Sequence, residues 1–227
     1  MKYMIHVAGG LAASAVLAAS AQAETIDFET SGTVGSVPAL FSQATTGKGS
    51  PADWKLVDAV GAPSGKLVVA QLSTKGDNMR FPVLVYDKIT AQNISLSVKF
   101  KAISGKEDQA AGLVVRYQDP NNYYVVRANA LEDNVVFYIV KNGSRIDLPV
   151  KGKGRTYGVK APVTKGSWNT LGLKAEGDTF TISLNGKKLY DVEDKQIGTS
   201  GKFGLWTKAD SVTAFDDFAY GDSGQKP

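Results

Sequence analysis

The stretch GLVVRYQDPNNYYVVRAN, residues 112–129, sets valines among arginines and tyrosines on either side of Asp119-Pro120-Asn121-Asn122. Asp at the first position of that quartet, Pro at the second and Asn at the third suit a type I turn. The stretch therefore reads as strand, turn and strand. Closing the hairpin across Asp119 and Asn122 puts Gln118 opposite Tyr123, Arg116 opposite Val125 and Val114 opposite Arg127. One face then carries Arg116, Tyr123, Arg127 and Asn129. The other carries Leu113, Val115, Tyr117, Tyr124 and Val126 and is the core side. A slip of one residue would send the two arginines to opposite faces.

The same two-residue period continues outward. Val135, Phe137 and Ile139 extend the core side, so Val136, Tyr138 and Val140 join the outer one, and a loop over Leu131–Asn134 sets Tyr138 beside Arg127. Ile94, Leu96, Val98 and Phe100 alternate with Ser95, Ser97, Lys99 and Lys101, and Phe180, Ile182 and Leu184 with Thr179, Thr181 and Ser183. Asn142-Gly143 and Asn185-Gly186 each sit between apolar runs, and Asn-Gly supplies the positive φ angles of a type I′ hairpin. No segment after residue 23 keeps a 3.6-residue apolar period. About a dozen short strands punctuated by Gly, Asn, Asp and Pro predict an all-β fold, an antiparallel β-sandwich of jelly-roll type. Ser42–Pro51 and Lys151–Val159 read as long polar or Gly-rich loops, and residues 221–227 as a flexible tail.

Met1–Ala23 combines a lysine, an apolar Ala/Gly-rich run and the small-x-small site Ala21-Gln22-Ala23. This is the pattern of a bacterial secretory signal peptide, too short to span a bilayer. Cleavage after Ala23 leaves one domain over residues 24–220 in a periplasmic or secreted protein, with no transmembrane segment. It also removes His6, the single histidine, and the chain has no cysteine. Histidine- and cysteine-based nucleophile pairs, His/Cys metal sites, disulfides and imidazole acid-base chemistry are thereby excluded. The 43% of apolar residues suffices for a core that must hold without disulfides.

A net charge of +4 is too mild to imply nucleic acid. Locally, however, eight basic residues between Lys141 and Lys174 face a single acid, Asp147. Such a run favours anionic partners, acidic glycans included, or else keeps a loop soluble.

Five residues form the candidate ligand platform: Arg116, Tyr123, Arg127, Asn129 and Tyr138. Aromatic faces cover the apolar side of a pyranose, while Arg and Asn donate to hydroxyls or carboxylates. The arginines have a structural reading as well, paired with Asp119, Glu132 or Asp147 or laid over the tyrosine rings. Carboxylates at Asp216, Asp217 and Glu29 meet if the terminal strands pair, and a structural calcium is the candidate ion there; no other cofactor is expected. Glu176-Gly177-Asp178 reads as a turn, Glu132-Asp133 as a solvated loop, and Trp54 as a residue able to reach a ligand edge.

The succession Asp53-Trp54-Lys55-Leu56-Val57, Ala111-Gly112-Leu113-Val114-Val115-Arg116, Asn122-Tyr123-Tyr124-Val125-Val126-Arg127, Gly166-Ser167-Trp168-Asn169, Leu184-Asn185-Gly186, Gly204-Leu205-Trp206-Thr207 and Phe215-Asp216-Asp217-Phe218 resembles concanavalin A-like lectin/glucanase domains. More narrowly it is similar to the bacterial exported 3-keto-disaccharide hydrolase-like, laminin G-like group. The resemblance implies two curved sheets with the ligand on the concave face, lined by Arg116, Tyr123, Arg127 and Tyr138. The glucanase carboxylate trio and the histidines of jelly-roll lyases are missing. The expected function is a non-catalytic glycan-binding or cell-surface domain holding a saccharide, acidic ones among the candidates. A glycoside hydrolase or lyase working through Asp/Glu with Tyr/Arg is the alternative, and an adhesion module with a protein partner the third reading.

Overall fold

The computed structural model describes residues 23–224, so nearly all of the expected leader and the last three residues of the tail lie outside it. The strands are β1 (Glu24–Ile26), β2 (Phe41–Thr46), β3 (Trp54–Asp58), β4 (Leu67–Gln71), β5 (Phe81–Ala91), β6 (Ile94–Ser104), β7 (Ala110–Asp119) and β8 (Asn122–Asn129). They continue as β9 (Asn134–Lys141), β10 (Ser144–Asp147), β11 (Val159–Lys160), β12 (Asn169–Glu176), β13 (Thr179–Leu184), β14 (Lys187–Glu193), β15 (Gly201–Trp206) and β16 (Val212–Gly221). The described residues contain no helix, and none is long and apolar enough to cross a membrane.

The strands form two antiparallel sheets. One runs β14-β13-β12-β6-β16-β4-β3 with β1 added to β16, and the other β10-β9-β8-β7-β15-β5-β2 with β11 added to β9. Alternation explains the stacking. Leu96, Val98, Phe100, Leu171 and Ile182 of the first sheet meet Leu113, Val115, Tyr124, Val126 and Phe137 of the second in one buried core. The expected sandwich is thus the observed fold. Asn142 and Gly143 have φ of 51° and 76°, Asn185 and Gly186 the same, and each pair closes a two-residue hairpin. Ser42–Thr46, expected as loop, is instead strand β2 at a sheet edge. Its solvent-facing side chains are polar, and in sequence such an edge looks like a loop.

The opening hairpin closes across Asp119 and Asn122 as expected, with the Asp119 carboxylate accepting the Asn121 N–H at 2.7 Å. Its register does not hold further in. Val115 pairs with Tyr124, so Arg116, Tyr117 and Gln118 all stand opposite Tyr123 alone. Arg116 carries the bulge at φ 50°, in the left-handed region that non-glycine residues rarely occupy. Gly201 on the neighbouring strand makes room, since a Cβ there would sit 2.5 Å from the Arg116 carbonyl carbon. The consequence is an exchange of faces. Arg116 turns inward and Tyr117 outward, where it stacks on Tyr123 at 5.7 Å.

Candidate functional site

The bulge removes Arg116 from the ligand platform. Its guanidinium lies over the Phe180 ring at the end of the sandwich and donates to the carbonyls of Gln92 (3.1 Å), Ile197 (2.8 Å) and Gly177. It ties together the β5–β6 turn, the β12–β13 turn and the segment leading into β15, and burial pulls its pKa down from the usual arginine range. Arg116 and Arg127 are on opposite faces, which corrects the shared-face expectation.

The outer face of the second sheet keeps the other four candidates, but not as an open platform. Tyr123 is fully buried; its hydroxyl bonds Thr46 Oγ1 at 2.8 Å and accepts the Trp206 indole N–H at 3.2 Å. Asn129 closes its own turn, donating to Asp108 at 2.6 Å and accepting the Leu131 N–H at 2.9 Å. Tyr138 and Arg127 are buried as well, with the Arg127 guanidinium carbon 5.7 Å from the Tyr138 ring centre. The sheet is strongly curled. Arg145 on β10 lies 4.8 Å from the Phe81 ring of β5, although five strand positions separate them and a flat sheet would hold them about 24 Å apart. The concave groove therefore exists, and the protein's own aromatic side chains fill it.

What stays open is its rim beside the β8–β9 turn. A cavity of about 430 Å³ is lined by Leu131, Glu132, Asn134 and the Thr156–Lys160 segment. β10 and β11 both pair with β9, and the loop between them folds back so that Tyr157, at φ 55° and 45% exposed, covers the groove. The Tyr157 ring meets Tyr138 edge-on at 6.0 Å and 77°, and their hydroxyls are bonded at 3.0 Å. Gly158 fixes this return. It sits at φ 67°, and a Cβ would overlap the Val135 carbonyl oxygen. We expect Gly158→Ala to destabilise by about 1–3 kcal/mol through this strain and to speed proteolysis at Lys151–Arg155; unchanged cleavage kinetics would contradict the docking.

Glu132 is the charged centre of the cavity. Its carboxylate receives Arg127 Nη2 at 2.7 Å and Asn134 Nδ2 at 2.8 Å, while Asn134 Oδ1 accepts Arg127 Nη2 at 2.8 Å. Burial pulls the Glu132 pKa upward, but the Arg127 charge and these hydrogen bonds outweigh it and hold the carboxyl below its usual range. Burial likewise pulls Arg127 down, and Tyr138, Asp108 and Glu132 more than restore it. Both partners are ionised. Lys160 Nζ donates to the Glu132 carbonyl at 2.8 Å and completes the rim. Of the ion pairs expected from the sequence, Arg127–Glu132 is formed, and Arg127 also lies over the Tyr138 ring as the other structural reading had it. Glu132, expected as a solvated loop residue, is instead a lining group. Lys160 belongs to the basic run between Lys141 and Lys174, whereas Asn134 and Tyr157 carry no mark in the sequence, since no period marks Asn134 and Tyr157 lies in a loop whose path only tertiary pairing sets.

The carboxylates proposed for calcium are engaged elsewhere. Glu29 accepts the Lys66 N–H at 2.7 Å, Asp216 the Ser64 N–H at 2.9 Å, and Asp217 bonds Ser64 Oγ at 2.6 Å and Lys99 Nζ at 2.7 Å. Among the described residues no group of three metal-ligating side chains is gathered. Desolvation raises the Asp216 pKa to about 6. Trp54, expected near a ligand edge, is wholly buried in the core against Phe215 at 5.6 Å.

Residues 40–219 match the 3-keto-alpha-glucoside-1,2-lyase-like domain. The chain belongs to this family. The sandwich is similar in fold to a carbohydrate-binding module, CBM66 from Bacillus subtilis. The TM-score is 0.57 at 21% identity, covering 78% of this chain and 94% of that one. A cellulose-induced protein, Cip1, gives 0.56 at 11% identity over 87% and 96%. A protein of unknown function from Shewanella oneidensis MR-1 gives 0.50 at 15% over 97% and 99%. At these identities the likeness is one of fold. No curated protein matches the chain.

Proposed function

We propose that this chain is an exported, non-catalytic glycan-binding domain that takes its saccharide at the Tyr157 cavity, at the open end of the concave groove. The observation that carries this reading is the lining itself. A half-exposed tyrosine ring stands beside an ionised carboxylate, an amide and an ammonium, the donor, acceptor and ring set that a sugar requires. Tyr157 stacks on the apolar face of the sugar, Glu132 accepts from hydroxyls, and Asn134 and Lys160 are the polar groups at the rim. The fold shared with a carbohydrate-binding module supports the same reading. Hydrolysis by paired carboxylates has no support, because Glu132 is the one carboxylate among the lining residues and a glycosidase needs two.

A thermal-shift and glycan-array screen of neutral and uronic-acid oligosaccharides tests the proposal. Tyr157→Ala should weaken every hit by about tenfold, the worth of one ring contact. Hits that ignore this substitution, or a screen without any, would sink it. A lyase is the second reading, favoured by the family and by the presence of a carboxylate, the usual proton-abstracting group in a chain without a usable histidine, in an open cavity. Turnover of a 3-keto-alpha-glucoside that vanishes in Glu132→Gln would replace binding with catalysis.

A further inference from the structure

Arg145 is the residue that neither the fold nor the cavity accounts for. It stands on the edge strand β10, and its guanidinium carbon lies 4.4 Å from the Tyr138 ring centre, 4.8 Å from Phe81 and 5.9 Å from Trp206. Three rings from three strands thus hold one planar cation across the mouth of the groove. Among the described residues it forms no ion pair, since the neighbouring carboxylates are taken, Asp147 by Arg155 and Glu132 by Arg127. Nη1 of Arg145 is buried without a hydrogen-bond partner, and so is Nε of Arg127, the guanidinium on the same Tyr138 ring. A buried N–H on a charged group is costly to leave unpaired. Against the ring these two are closed to solvent, whereas Nε and Nη2 of Arg145, on a half-buried side chain, are left to meet an acceptor.

We infer that Arg145 is an anion subsite of the groove, and that the saccharide held there carries a carboxylate or sulfate. The inference rests on the glycan-binding reading above and narrows it to acidic sugars. A guanidinium laid flat on aromatic faces keeps its orientation, and its planar fork matches the two oxygens of a carboxylate. The half-buried setting screens the charge less than open solvent would. The neighbouring loop adds a long-range field through exposed Lys153 and Lys160, which draws anions in without orienting them.

The test compares oligogalacturonate, a sulfated gluco-oligosaccharide and a neutral gluco-oligosaccharide of equal length, titrated calorimetrically into the purified protein at low salt. The expected result is binding of at least one acidic ligand about tenfold or more tighter than the neutral one. Arg145→Met, which fills the same space over the rings, should bring that ratio close to one with little change in melting temperature. Arg145→Lys, with the charge but without the fork, should restore it only in part. Which acidic ligand shows the preference tells carboxylate from sulfate. Equal affinities for acidic and neutral ligands would overturn the subsite and leave glycan binding standing. A preference that survives Arg145→Met, or that Lys153→Ala removes as completely, would overturn it in favour of a diffuse basic loop. If none of the three binds, the glycan reading falls and the subsite with it.

Discussion

Arg116→Met should lower stability by about 3–5 kcal/mol, or roughly 10 °C in melting temperature for a chain of this size, and leave saccharide affinity unchanged. Three backbone carbonyls, those of Gln92, Gly177 and Ile197, lose their donors at once. Each buried carbonyl left unpaired costs about 1–3 kcal/mol, less where water re-enters at the end of the sandwich. The methionine still fills the space over Phe180, so the loss reports on the hydrogen bonds more than on a cavity. Chemical denaturation alongside calorimetric titration of any saccharide hit separates the two quantities. A drop in affinity without a drop in stability would return Arg116 to the ligand site and contradict the exchange of faces at the bulge.

That exchange shows where the sequence stops being legible. Alternation places the core residues of β6 and β13 because each buries one face and a two-residue period records it; β8 and β9 keep the same inward set, Tyr124, Val126, Val135, Phe137 and Ile139, although both of their faces are buried. The Asn-Gly turns were readable because their backbone geometry demands those residue types. The bulge carries no such mark. Arg116 adopts φ 50° without being glycine, and what stabilises it there are carbonyls 24, 61 and 81 residues away in the chain. Closing the turn at Asp119 therefore gives the right hairpin but a register two residues out from Val115 inward, where Val114 meets Val125 rather than Arg127, and the wrong faces for Arg116 and Tyr117.

The site was legible to the same depth. Arg127 and Tyr138 do come together, but as diagonal neighbours, because the turn closes between Asn129 and Asn134 rather than over Leu131–Asn134 and Tyr138 pairs with Val125. Their burial was not legible, because it depends on how far the sheet curls and on Tyr157 and Arg145 arriving from the β10 side. Polar and aromatic residues on an outward face signal a ligand only when nothing else in the chain returns to cover them. Glu29, Asp216 and Asp217 illustrate the same limit. The terminal strands do pair, Ile26 with Phe218, yet the Ser64–Leu67 loop takes up the carboxylates through its N–H groups and the Ser64 hydroxyl.

Arg127→Met should have the largest effect of any change at the site, acting on both stability and pH response. Arg127 is wholly buried and partnered by Glu132 and Asn134. Removing one member of a buried charged pair costs about 3–5 kcal/mol in typical cases; Glu132 is 39% exposed and can re-solvate, so the lower end applies. The pH dependence follows from the depressed Glu132 pKa. Its folded value lies below its unfolded one, so the pair's contribution is present at neutral pH and is lost as pH falls through that folded value. Without the Arg127 charge, burial is the dominant influence and the Glu132 carboxyl titrates at higher pH than in the parent. Saccharide binding that uses the Glu132 carboxylate should then fail at a higher pH in Arg127→Met than in the unmodified protein. Parallel affinity–pH profiles for the two would show that the Arg127 charge does not set the protonation of Glu132, and that the carboxylate is not the acceptor the cavity offers.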